Sequence, residues 1–289
     1  MKYYIENGIH TIKCLPKEFS IVLVNEKKKN VKKATYTNLN FFGNYSEQGE
    51  PFTLPAGHLI AKFESNSKWE KHYCQERGKF IGDKFIFDAG KFSYDKQFYN
   101  KNLTTFYIEN GVAKIGEMKT LNQNYEFAAS GVPIMRNGRT ATFYGDVVSQ
   151  GFNGSVLYAT KHIFIGLKPN DPHIYIMGYK STTSNLVLTD EVYKKMKALG
   201  YSDVVKFDGG GSYHFEVNNK VVDTMSENRR ISAIVCVENL EVENDQNAPS
   251  DWAKSAWDKA VKKSIFTNNP KAVVTEQEVA NIFEKLNKL

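Results

Sequence analysis

Three consecutive glycines, Gly209, Gly210 and Gly211, follow the apolar run Val204-Val205-Lys206-Phe207 and a single acid, Asp208, and lead into Ser212. No other stretch restricts the fold so tightly. Glycine loses the most conformational freedom on folding and adds nothing to a core, so a triplet implies a backbone path that other residues cannot follow. Such a turn can gather successive N–H groups into an anion-binding concavity. Just upstream, residues 190–199 read as a helix. Thr189 is a suitable cap, Asp190 and Glu191 suit the positive end, Val192, Met196 and Leu199 form one stripe, and Gly200 closes it. The order helix, strand, glycine turn sets the turn at the carboxyl end of a core strand, a common place for a site. A plain turn capped by Asp208 is the alternative.

The first two thirds of the chain read as strands and hairpins. Residues 19–24, 85–87, 105–108 and 174–178 are apolar runs rich in β-branched and aromatic side chains. Asn110-Gly111 and Asn137-Gly138 fit two-residue hairpin turns, and residues 214–222 form a hairpin around Asn218-Asn219. A hydrophobic share of 41% supplies a core and excludes a disordered chain. The expected class is α+β: a β-rich mixed sheet core with a few helices, plus a small C-terminal helical hairpin.

Net charge is +6, and its densest run, residues 26–33, lies between strand-like segments. It reads as a solvated hairpin tip, so no nucleic-acid partner is expected. Cys14, Cys74 and Cys236 are too few for a disulfide framework and lack metal-ligand spacing, which leaves buried thiols, with one disulfide still open.

Further blocks surround the glycines. Downstream lie Phe215-Glu216-Val217, Ser226-Glu227-Asn228-Arg229 and the apolar run 231–237. Upstream, in order, lie Thr37-Asn38-Leu39-Asn40-Phe41-Phe42, Ala56-Gly57-His58-Leu59-Ile60, Ser130-Gly131-Val132-Pro133 continuing to Asn137-Gly138, and Phe164-Ile165-Gly166. Across residues 30–238 this series resembles the phosphodiester glycosidase family, the lysosomal uncovering enzymes among them. Leu39 and Asn40 replace the paired glycines of the family pattern, and His162 or Lys161 stands near its arginine.

The resemblance implies a hydrolase that frees a sugar from a sugar-1-phosphodiester. It makes Asp208 the catalytic carboxylate, Arg229 a phosphate ligand and Asn38 a ligand for sugar hydroxyls. The chemistry of the residues adds His58 as general acid or phosphate donor, Glu227 as a second carboxylate, and Gly209, Gly210, Gly211, Ser212, Asn40, His162 and His214 as substrate-binding groups. Each has a structural alternative: a cap, a surface ion pair, a turn or a satisfied core histidine. No cofactor is required and no metal motif occurs; a calcium or magnesium ion on Asp208 and backbone carbonyls is compatible with the pattern.

Residues 1–240 are expected to form the glycosidase-like domain, 241–250 a polar linker, and 251–289 a helical tail. The tail resembles an S-layer-homology unit of phage and bacterial wall hydrolases, without that unit's Gly-Tyr-x-Asp-Gly-x-Phe loop. A helical hairpin packed on the main domain or on a second copy is the alternative. A wall polymer such as a teichoic acid is the substrate the tail suggests. The N-terminus lacks a signal-peptide pattern and no run is long enough to span a membrane. Synthesis in the cytoplasm is therefore expected, with release by lysis or carriage on a virion, and homo-oligomers remain open. The competing reading is a non-catalytic protein that binds wall glycan or a phosphorylated, nucleotide-like ligand.

Overall fold

The computed structural model describes residues 1–89, 98–181 and 188–238. The chain divides into two units, Met1–Glu241 and Val242–Leu289. The second unit lies outside the described residues, and with it the expected linker and helical tail.

Two large sheets carry the first unit. One has seven strands, all antiparallel, with Asp203–Gly209 between Lys161–Leu167 and Val132–Arg136. The other has eleven strands and one parallel pair, Phe19–Lys27 beside Leu59–Phe63; its edge hairpin is His214–Val217 with Lys220–Thr224. Ile163, Ile165 and Val205 of the first sheet share one core with Ile21, Leu23 and Phe106 of the second. Burying each such side chain contributes about 1.5–3 kcal/mol.

The α+β expectation is corrected here. Among the described residues only two α-helices occur, Lys68–Arg77 and Leu188–Ala198, against twenty strands. The protein is β-rich, and the helices flank the sheets rather than form a layer. The physical reason lies in the turns. Asn110-Gly111, Asn137-Gly138 and Asn218-Asn219 all adopt positive φ, which matches the twist of two-residue hairpins and returns each strand onto its neighbour. The helical weight in the expectation came from residues 251–289, which lie outside the described residues.

Other local readings differ in detail. The helix expected over 190–199 runs Leu188–Ala198. The helix Lys68–Arg77 was not foreseen, although Ser67 caps it by accepting the Glu70 N–H. Residues 26–33 are not a hairpin tip: Phe19–Lys27 ends in a 3-10 turn, Lys28–Asn30, and Lys28 is fully buried. All three cysteines are free and buried. No helix among the described residues is long and apolar enough to cross a membrane.

Candidate active site

Strand Asp203–Gly209 pairs with Lys161–Leu167 through a shifted register, with Phe164 opposite Lys206 but His162 opposite Gly209. One extra residue on the glycine-bearing strand makes this a bulge, a device that re-aims side chains. Asp208 leaves the ladder at this point. Its N–H donates to the Leu39 carbonyl at 2.8 Å, and its own carbonyl accepts from Asn38 Nδ2 at 3.0 Å. The strand end is thereby pinned to the second sheet.

The three glycines answer three separate demands. At Gly209 a Cβ would strike the Lys161 carbonyl and the His162 ring, so the strands meet closely only without one. Gly210 has φ +57°, a left-handed turn, and a Cβ there would meet only Thr160 at ordinary contact distance. At Gly211 a Cβ would strike the carboxylate of Glu227, which holds Arg229 at 3.0 and 3.2 Å. Beneath the turn, Lys28 Nζ donates to the carbonyls of Gly211 at 2.7 Å, Tyr213 at 3.0 Å and Met225 at 3.0 Å. All three ammonium hydrogens have acceptors, so the turn is locked from inside.

A pocket of about 440 Å³ opens beside the bulge, where Lys206, Asp208, His162, Gly209, Gly210 and Phe41 meet residues of the 155–160 loop. Asp208 is half-buried. Burial raises its pKa, against the lowering effect of Ser212, Lys206 and the Gly209 N–H, which donates to Oδ1 at 2.8 Å. Lys206 is 1% exposed. Its Nζ donates to the Phe207 carbonyl at 2.9 Å and lies 4.8 Å from the centre of the Phe41 ring. Burial pushes the Lys206 pKa down to about 7, with Asp208 opposing that shift.

His162, rather than Lys161, faces the pocket; Lys161 instead pairs with Asp223. Burial, then Lys206, push the His162 pKa down to about 2, so the ring is neutral. Its Nε2 lies 2.9 Å from the Tyr158 carbonyl, which can only accept. Nε2 therefore carries the proton, and Nδ1 is a buried acceptor with no partner. The expected phosphate donor is in this arrangement an acceptor.

The other candidates are dispersed. Gly211, Ser212, Glu227 and Arg229 do not line the pocket. Ser212 is fully buried and acts on Asp208 from beneath the turn, while Glu227 and Arg229 form their ion pair on its exposed side. The Asn38 amide is used on both sides, since its Oδ1 also accepts the His214 N–H at 3.0 Å. Asn40 Oδ1 is buried without a partner beside Phe41. His214 stacks on Tyr36 and meets Glu216 Oε2 at 3.0 Å. His58 is fully buried, 3.3 Å from Asp88 and 3.3 Å from the Met118 carbonyl, and does not line the pocket. Among the described residues no cluster of three or more His, Cys, Asp or Glu is gathered for a metal ion.

Lys206 was overlooked in the sequence, although a lysine inside an apolar strand two residues before an acid was itself a signal. The pocket wall at Tyr158 and Val156 carries no such mark.

By sequence, no family model and no curated protein matches the chain. By structure, it resembles the catalytic domain of zebrafish N-acetylglucosamine-1-phosphodiester alpha-N-acetylglucosaminidase, auto-inhibited by its pro-peptide, with a TM-score of 0.55 and 14% identity over 82% of this chain and 81% of that one. A hypothetical protein from Synechocystis follows at TM-score 0.42 and 10% identity, covering 81% of this chain and 60% of that one. The zebrafish likeness is one of fold: the chain shares the architecture of a phosphodiester glycosidase domain.

Proposed function

We propose that this protein is a glycosidase that hydrolyses a sugar-1-phosphodiester at the anomeric carbon, with Asp208 and Lys206 as its working pair. One observation carries the proposal: a carboxylate and a buried ammonium two residues apart line the same pocket, at the end of a bulged strand. The fold likeness to a phosphodiester glycosidase domain supports it.

The chemistry suits these groups. The anomeric C–O bond breaks heterolytically and its electron pair leaves with the phosphate. A phosphate monoester has its second ionisation near pH 6, so it departs with far less protonation than a sugar alkoxide. Ordinary glycosidases use two carboxyl groups, one of them to protonate the leaving oxygen. Here one carboxylate and one cation suffice. Lys206 neutralises the charge developing on phosphate, in a dry setting where that interaction is strong. Asp208 stabilises the positive anomeric centre and takes the proton of the water that adds there.

The non-catalytic alternative rests on the same pocket, since among the described residues Asp208 is its only carboxylate-bearing lining residue. Turnover separates the two. Purified protein is incubated with a glycosyl-1-phosphodiester and, in a parallel arm, with teichoic-acid-type wall polymer, and reducing sugar is measured. Release by the native protein and none by Asp208→Asn is the expected result. Binding without release assigns the pocket to a ligand-binding protein, and undiminished release by the variant removes Asp208 from the chemistry.

A further inference from the structure

Among the described residues that line the Asp208 pocket, Lys206 alone carries an amine. Its side chain lines the pocket while only 1% exposed, so a reagent meets it inside the pocket rather than in bulk solvent. As a neutral amine the group keeps two hydrogens and a lone pair. One hydrogen has an acceptor, the Phe207 carbonyl at 2.9 Å. The Phe41 ring, centred 4.8 Å away, offers the lone pair no proton. Asp208 lies two residues along, lines the same pocket and acts on Lys206 electrostatically, which gives the amine a proton carrier.

Burial lowers the pKa of two lysines, to about 7 at Lys206 and about 8 at Lys28. A depressed pKa therefore does not single out Lys206. Position does. Lys28 gives its hydrogens to the carbonyls of Gly211, Tyr213 and Met225 and does not line the pocket.

From this placement we infer that Lys206 is a carbonyl-capturing amine, which holds the open-chain form of an aldose covalently as an imine. Lysines desolvated in pockets are nucleophiles of this kind. The lone pair attacks the aldehyde carbon, and the carbonyl π pair moves onto oxygen. Asp208 carries both nitrogen hydrogens to that oxygen, the second as the C–O bond breaks and water departs. Amine and aldehyde thus give imine and water, with no change of oxidation state. The choice of an aldose rests on the glycosidase reading, whose product is a reducing sugar with its anomeric carbon in this pocket. The consequence is product retention: free sugar occupies the pocket until the imine is hydrolysed.

Glyceraldehyde, the smallest aldose, is the probe, and glycerol, which has no carbonyl, is the control. Native protein is incubated with each in the presence of cyanoborohydride, which reduces an imine to a stable amine. Peptide mapping by mass spectrometry then locates the adduct. At pH 7 about half of Lys206 is free amine, against roughly one in two thousand of an ordinary lysine. Label at Lys206 is expected at least about tenfold faster than at any exposed lysine, and Lys28 is expected to stay unlabelled. The Lys206 rate should level off above about pH 7, while exposed lysines gain rate up to about pH 10. Lys206→Met should lose the fast adduct, and the map of the native protein gives the same answer if that variant does not fold. Label at Lys28 equal to that at Lys206, or a Lys206 rate no greater than that of exposed lysines, overturns the inference. A Lys206 adduct in a protein that releases no sugar from a phosphodiester upholds the amine and sinks the glycosidase reading. Sugar release without the adduct does the reverse, so the two failures are distinguishable.

Discussion

Lys28 and Lys206 are both buried, and the regions around them are opposites. Lys28 directs three hydrogens at three backbone carbonyls beneath the glycine turn. Lys206 has one carbonyl, an aromatic face and a carboxylate neighbour, and opens onto a pocket. An ammonium whose donors are all matched is structural. One that is desolvated but only partly matched retains capacity for an incoming anion. Burial by itself therefore does not mark a functional lysine; its remaining donors do.

The largest test of this contrast is on activity. Lys206→Met is expected to lower kcat/KM by about a hundredfold or more, as loss of a preorganised charge-stabilising donor does. The same change is expected to raise the unfolding free energy by about 1–2 kcal/mol in urea titrations, because an unfavourable buried charge is removed. Lys28→Met should do the reverse. It strands three carbonyls at about 1 kcal/mol each, a loss of about 3 kcal/mol read from the urea midpoint. A loss of stability in Lys206→Met with activity retained would break the comparison.

A pH series sharpens it. The Lys206 pKa lies near 7, well below the ordinary lysine value. Above pH 7 the ammonium is lost, and kcat/KM is expected to fall about tenfold per pH unit. Over the same range the unfolded chain binds more protons at this residue than the folded one, so its contribution to stability improves from about pH 7 to about pH 10. Activity and stability thus move in opposite directions, and Lys206→Met should flatten the stability rise. The smallest effect concerns the turn. Gly210→Ala, without a clash but at φ +57°, is expected to cost about 1 kcal/mol by thermal melting. Gly209→Ala should cost more, since its side chain meets a carbonyl and a ring.

The strands and hairpins were largely legible because their signals are local. A two-residue Asn-Gly turn needs positive φ wherever it occurs, and apolar runs of strand length stop at such turns. The glycine triplet likewise announced an unusual backbone. Its neighbours were harder to place. His58 and His214 lie away from the Asp208 pocket, one beside Asp88 and Met118 and the other beside Glu216 and Thr224, partners that no local pattern reveals. Asn38 matched a family position, yet its amide is consumed in joining Asp208 to His214. Lys206 stood in plain view inside an apolar strand.

What the sequence alone determined is the local grammar: hairpin turns, apolar strands, and an acid before three glycines that no ordinary strand would carry. What the tertiary structure decided is which polar groups are left with unused capacity. Lys28 is separated from Gly211 by 183 residues, and Asn38 from Asp208 by 170. Hydrogen-bond satisfaction is settled by such distant partners. Backbone propensity is encoded within a few neighbours, while the environment of a buried charge exists only once the two sheets have closed on one another.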